Sequence, residues 1–201
     1  IWGLYSSIPQ QLGMQAAKWP DYQIAGAIEG NIKCTDGGAM FRTDHPIDLY
    51  APSKGTFSNS YSLALTPDNL NTVVQAMRAY VAQDGTPIGV NPTHLIVPPA
   101  LEYQARYILN ASFIAPQTAA GGQTQVGASD NILKGWLDLM VVRELAGNMS
   151  FQIFDPTTGV PTTTTGSDTA WYVADLSNPV RPITWQLRQP PLITNRVRSE
   201  E

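Results

Sequence analysis

Five residues, Thr93-His94-Leu95-Ile96-Val97, run directly into Pro98 and Pro99. This junction leaves the chain few options. The apolar run is too short to present a helical face, and the prolines forbid its continuation, so it predicts a buried strand. Proline also suits the first turn of a helix, and residues 99–110 follow with Leu101, Ala105, Ile108 and Leu109 at inward-facing spacing. Upstream, Thr66-Pro67-Asp68 carries an N-cap, a first-turn proline and an acid at the positive helix end. Leu70, Val73, Val74, Met77, Tyr80 and Val81 then repeat at three and four, which predicts a helix over 67–83 ended by Gly85.

The remaining segments fill in an α+β class, a mixed sheet with helices interleaved. Residues 1–30 read as one long helix, interrupted at Trp19-Pro20 and ending at Gly30-Asn31. Residues 31–61 are rich in turn signals and predict loops with short strands, while 111–130, rich in Gly, Gln and Ala, read as a mobile loop. Leu137 to Leu145 is apolar on both alternating sides, which predicts a central strand. The Pro-Thr-Gly stretch 155–168 reads as an exposed loop. Residues 170–174 and 183–188 read as strands, with Ile183, Trp185 and Leu187 alternating against Thr184, Gln186 and Arg188, and a further strand starts at Leu192.

The 201 residues carry only 14% charged side chains, against roughly 25% in a typical soluble domain. A subunit whose faces are covered by copies of itself needs fewer charges than a solitary one. The net charge of -4 gives the chain as a whole no footprint for nucleic acid. Apolar runs fall well short of the ~20 residues that span a bilayer.

Catalytic and metal chemistry find little to work with. Of two histidines, His94 falls inside the predicted strand, where a hydrogen-bonded core or interface role is expected. His45 follows Asp44 in a loop, and Cys34 lies eleven residues earlier, so a Cys34–His45 nucleophilic pair is arithmetically possible. No Gly-x-Ser-x-Gly or HExxH pattern accompanies them. Asp36-Gly37-Gly38 and Gly121-Gly122 have neither phosphate-loop nor dinucleotide spacing and read as turns. The sequons at Asn110 and Asn148 are patterns common by chance. No catalytic residue, cofactor or metal is expected.

Four stretches, in order, resemble one family. Asn91 through Glu102, Met40 through Pro46, Leu137 through Leu145, and Trp171 through Asp175 with Pro179 through Pro191 are similar to segments of the Mu-like phage and prophage major head subunits. The resemblance implies the Hong Kong-97-type capsid fold. Residues 1–60 would form the peripheral domain's spine helix and following loops, 61–178 mainly the axial domain, and 179–201 the peripheral β-strands. It also implies an N-terminal arm and a closing strand that this chain lacks, so a partial subunit is expected.

The function so implied is a major capsid subunit that assembles with itself into pentamers and hexamers of an icosahedral shell. Scaffold, portal and other head proteins would be its partners, with packaged DNA held non-specifically and no membrane involved. The virion, after assembly in the bacterial host cytoplasm, would be its location. Trp2, Tyr5 and Trp19 on the long helix, and Arg188, Arg196 and Arg198 near the end, are the candidate inter-subunit residues. The alternatives are an encapsulin-like nanocompartment subunit, a small Cys34/His45 hydrolase and a non-viral binding module with a threonine-rich loop.

Overall fold

A computed structural model of the chain describes residues 7–34, 36–114, 129–154, 160–179 and 183. It begins with two consecutive helices, α1 (Ser7–Ala17) and α2 (Trp19–Glu29), broken at Lys18. Trp19-Pro20 opens the second one, as the sequence predicts, because proline fits the first turn of a helix better than its interior. Beyond Gly30, Asn31 adopts a left-handed φ of 46°. Its side chain exchanges hydrogen bonds with the backbone of Phe41, at 2.9 Å and 2.6 Å, and so stands in for a strand partner. The turn-rich stretch contains two short paired strands, β1 (His45–Pro46) and β2 (Thr56–Phe57).

Helix α3 (Pro67–Arg78) starts as expected, with Thr66 Oγ1 accepting from the Asn69 amide at 3.2 Å. It stops five residues before the predicted end. Tyr80 turns away to pack its ring, tilted, against Phe57 and donate to the Ser58 carbonyl at 2.7 Å. Val81 bridges Pro87 instead, and Gly85, at φ 84°, serves the turn between them. Tertiary contacts of one aromatic ring outweigh a local periodicity here.

Strand β3 (His94–Val97) follows, then a single 3₁₀ turn over Pro99–Leu101 and helix α4 (Glu102–Asn110). Next come β4 (Phe113–Ile114), β5 (Ser129–Asp130) and β6 (Asp138–Val141), then the hairpin β7 (Ser150–Phe154) and β8 (Pro161–Thr165), and finally β9 (Tyr172–Ala174). β3 lies between β6, which is parallel to it, and β9, which is antiparallel.

Two expectations need correction. Leu137–Leu145 is not one continuous strand: only Asp138–Val141 is extended, and among the described residues it lies at a sheet edge with Met140 38% exposed. Leu137 is buried just before the strand, and Leu145 is buried on a 3₁₀ turn after it, so the run's apolar residues serve two different cores. The threonine run is exposed but is not a loop, because Thr162–Thr165 pairs with β7 along the hairpin. β-branched threonine suits a pleated surface, and that preference outweighs the polarity of the segment. The loop predicted at 111–130 rests on the β4–β5 pair at its base, and its middle falls outside the described residues, as do all but Ile183 of the strand expected at 183–188 and the whole of the strand expected from Leu192.

The alternation of β3 builds two cores. Leu95 and Val97 point into a cluster with Leu70 and Val74 of α3 and Ala105, Ile108 and Leu109 of α4. Ile96 points the other way, toward Ala25 and Tyr22 of α2, Phe151 and Ile153 of β7, and Tyr172. Gly26 makes the second core tight: a Cβ there would stand 3.0 Å from Phe151 Cβ and 3.1 Å from Ile153 Cγ2. Small residues on α2 let the hairpin approach closely.

Candidate functional site

The polar residues nearest to a catalytic constellation gather in the turn-rich stretch after α2. Buried His45 stacks on Phe57 with ring centroids 5.2 Å apart. Its Nδ1 stands 3.3 Å from both Asp36 Oδ2 and the Arg42 Nε–H, and its Nε2 is 3.1 Å from the Met40 carbonyl. The carboxylate beside the imidazole is therefore Asp36 and not Asp44, which faces Arg42 at 3.7 Å and is mostly exposed. Arg42 donates to Asp36 at 2.7 Å. The Gly38 amide, then His45 and Arg42, hold the Asp36 carboxyl below its ordinary range.

Both nitrogens of His45 are thus committed within the turn. Cys34 is exposed, and its amide and carbonyl pair with Gly38 and Gly37. Partial desolvation and the Asp36 charge push its thiol up, away from thiolate, with Arg42 only partly opposing them. A nucleophilic cysteine needs the opposite shift. The cluster reads as a fastening for residues 31–61, with Asn59 tying Arg42 and Met40 into it.

His94, at the start of β3, is half-buried with Nδ1 2.8 Å from Thr93 Oγ1, in keeping with a structural histidine. An open depression beside β6 is lined by Arg78, Thr93, Trp136 and Asp138, with the Arg78 guanidinium 5.3 Å from the Trp136 ring centroid. Among the described residues, no His, Cys, Asp or Glu cluster could hold a metal, and no helix is long and apolar enough to cross a membrane.

What distinguishes the surface is its uncovered apolar side chains. Trp19, at the start of α2, is 59% exposed; it is the one predicted contact residue within the described part, since Trp2, Tyr5, Arg188, Arg196 and Arg198 lie outside it. Helix α1, which has no charged residue, exposes Leu12 and Met14 as well. Tyr50, Tyr103 and Ile132 are also largely exposed. The sequence signal for Tyr103 was present: it and Tyr107 stand one turn apart, opposite the inward positions of α4.

A polar contact ties the end of α2 to the sheet within the second core. Tyr172 of β9 donates to Glu29 Oε1 at the end of α2, at 3.1 Å. Burial raises the Glu29 carboxyl above its ordinary range, and the tyrosine bond partly offsets this.

The sequence model of a family described as phage capsid protein matches residues 1–200. The major capsid protein of Escherichia phage Mu is 39% identical over 77 residues, which are 38% of this chain and 23% of that protein. The chain thus spans about a quarter of the Mu protein in this match. Among solved structures, the capsid of bacteriophage JBD30 decorated with minor capsid protein trimers contains a similar chain. It superposes with a TM-score of 0.53 at 18% identity, covering 72% of this chain and 68% of that one. A likeness of that kind speaks for the fold.

Proposed function

Because the chain belongs to the phage capsid protein family, we propose that it is a major capsid subunit that assembles with copies of itself into an icosahedral shell. The observation that carries this reading is the end-to-end family match over residues 1–200. The sparse charge and the uncovered Trp19, Tyr50, Tyr103 and Ile132 support it physically. Each contact in such a lattice needs only modest apolar burial, at roughly 25 cal/mol per Å² less the cost of ordering, because many contacts act together.

In this reading residues 1–60 belong to the peripheral domain with its spine helix, 61–178 mainly to the axial domain, and 179–201 to peripheral strands. Trp2, Tyr5 and Trp19 pack within or between subunits. Arg188, Arg196 and Arg198 pair with acidic groups of a neighbour. The subunit's role is structural, and the net charge of -4 suits a wall that encloses DNA without gripping it. Scaffold, portal and other head proteins are its partners during assembly in the host cytoplasm, before it becomes part of the virion.

The test is negative-stain microscopy of the complete gene product expressed with its neighbouring genes. Closed particles are expected. Replacing Arg188, Arg196 and Arg198 together by alanine should abolish particles while leaving circular dichroism unchanged. Particles of normal number and size from that variant would overturn the arginine assignment. A folded wild-type product that stays monomeric at high concentration would overturn the function.

A further inference from the structure

Helix α4 turns Ala105, Ile108 and Leu109 inward, and its outer face carries Tyr103, 84% exposed, with Tyr107 one turn further along. On one flank of that outer face Arg106 Nε donates to Glu102 Oε1 at 2.8 Å. At 3.6 residues per turn, Glu102 and Arg106 lie on the same side of the line through Tyr103. We propose that this face is a two-fold contact between two copies of the chain, a contact whose place in a shell rests on the reading above.

The charge order selects the partner and its direction. A second α4 related by a two-fold axis parallel to the helices would carry the Glu102–Arg106 flank to opposite edges of the contact, where the two pairs do not meet. Laid antiparallel about a two-fold axis, the same flank faces itself, with each Glu102 beside the other copy's Arg106. The two intrahelical pairs then close into a ring of four alternating charges. The chemistry allows this, since guanidinium has five donors and carboxylate two acceptor oxygens, and the existing bond uses one of each. Such self-complementarity is what an isologous interface requires. Tyrosine and arginine are also the residue types enriched where interfaces form, and the tyrosines keep water from the charges. At the end of the helix, Asn131 donates to the Ile108 and Ala111 carbonyls, which sets the 91% exposed Ile132 beside the cap and extends the apolar surface.

The chain's self-association, measured by sedimentation equilibrium, tests the contact. The wild-type chain should dimerise with concentration. Glu102→Arg or Arg106→Glu alone should weaken the dimer by about tenfold or more, because like charges then face each other. The double reversal should recover most of that loss, and Tyr103→Ala should weaken association without unfolding the chain, since its ring is exposed. A role confined to the intrahelical pair would move thermal stability and leave association untouched. A strictly monomeric wild type, equal association of all variants, or a double reversal no better than the single ones would overturn the proposal. Particle formation by the complete product is scored separately. Wild-type-like particles from the Glu102→Arg variant remove this contact and leave the shell reading standing. Absent particles with the charge-reversal pattern intact support the contact and remove the shell reading.

Discussion

Gly26→Val should destabilise the chain, and the structure gives the size of the effect. Gly26 is buried on α2 against β7, and a Cβ placed there meets Phe151 Cβ at 3.0 Å, Ile153 Cγ2 at 3.1 Å and Phe151 Cγ at 3.3 Å. Valine adds two further methyl groups in the same direction. Forcing extra carbon into a packed core costs about 1–3 kcal/mol, while replacing glycine inside a helix returns roughly 0.4 kcal/mol. A net loss of about 0.6–2.6 kcal/mol follows, or a midpoint lowered by about 2–8 °C at roughly 3 °C per kcal/mol for a chain of this length. Thermal and urea denaturation of the purified chain would measure it. Ile153→Ala removes one of the colliding methyl groups, so the double variant should lie at least ~0.5 kcal/mol above the additive expectation. Gly13→Ala is the control. A Cβ at Gly13 meets nothing within 4 Å, so this variant should gain about 0.5–1 kcal/mol. A Gly26→Val chain as stable as wild type, or strict additivity with Ile153→Ala, would refute the close-packing argument.

Two further expectations concern single contacts. Thr66→Ala removes the oxygen that accepts from the Asn69 amide and should cost about 1 kcal/mol in urea denaturation, with Thr66→Ser restoring most of it. Glu29 has a carboxyl raised by burial, so its protonated form is favoured in the folded chain. Its contribution is complete below the unfolded-state value of about 4.3 and is lost as pH rises through the higher folded value. The stability of wild type relative to Glu29→Gln should therefore increase as pH falls from neutral toward 4; a flat difference curve would remove Glu29 as a titrating group. The comparison must be a difference, because Asp36, Asp48, Asp84 and Asp175 are held low and lose stability over the acid range.

Much of this architecture was legible in the residues, and each success has a local cause. The strand at Leu95–Val97, the capped start of α3, the helix after Pro99 and the break at Trp19-Pro20 all rest on proline, caps and short-range spacing. The misreadings arose where distant contacts decide. Tyr80 leaves the helical pattern for Phe57, and the threonines of β8 find strand partners nine residues or more away in β7. Leu137 and Leu145 look like one strand because periodicity cannot show that two separate cores claim them. The Asp36–Arg42–His45 cluster was half visible: His45 was singled out with the adjacent carboxylate, but the turn folds Asp36 onto it from nine residues away. The close approach at Gly26 left no sequence sign, since a buried glycine and an idle one look alike.

Strand β3 is paired on both sides and faces a different core on each surface. Four residues therefore act as the joint between the α3–α4 layer and the α2–hairpin layer, and they fix the angle between them. α2 is a lever of about 16 Å, so a tilt of about 10° at that joint would carry its far end, at Trp19, through nearly 3 Å. In any lattice built from this chain, the seating of Leu95, Ile96 and Val97 inside each copy would therefore enter the curvature alongside the surfaces that touch.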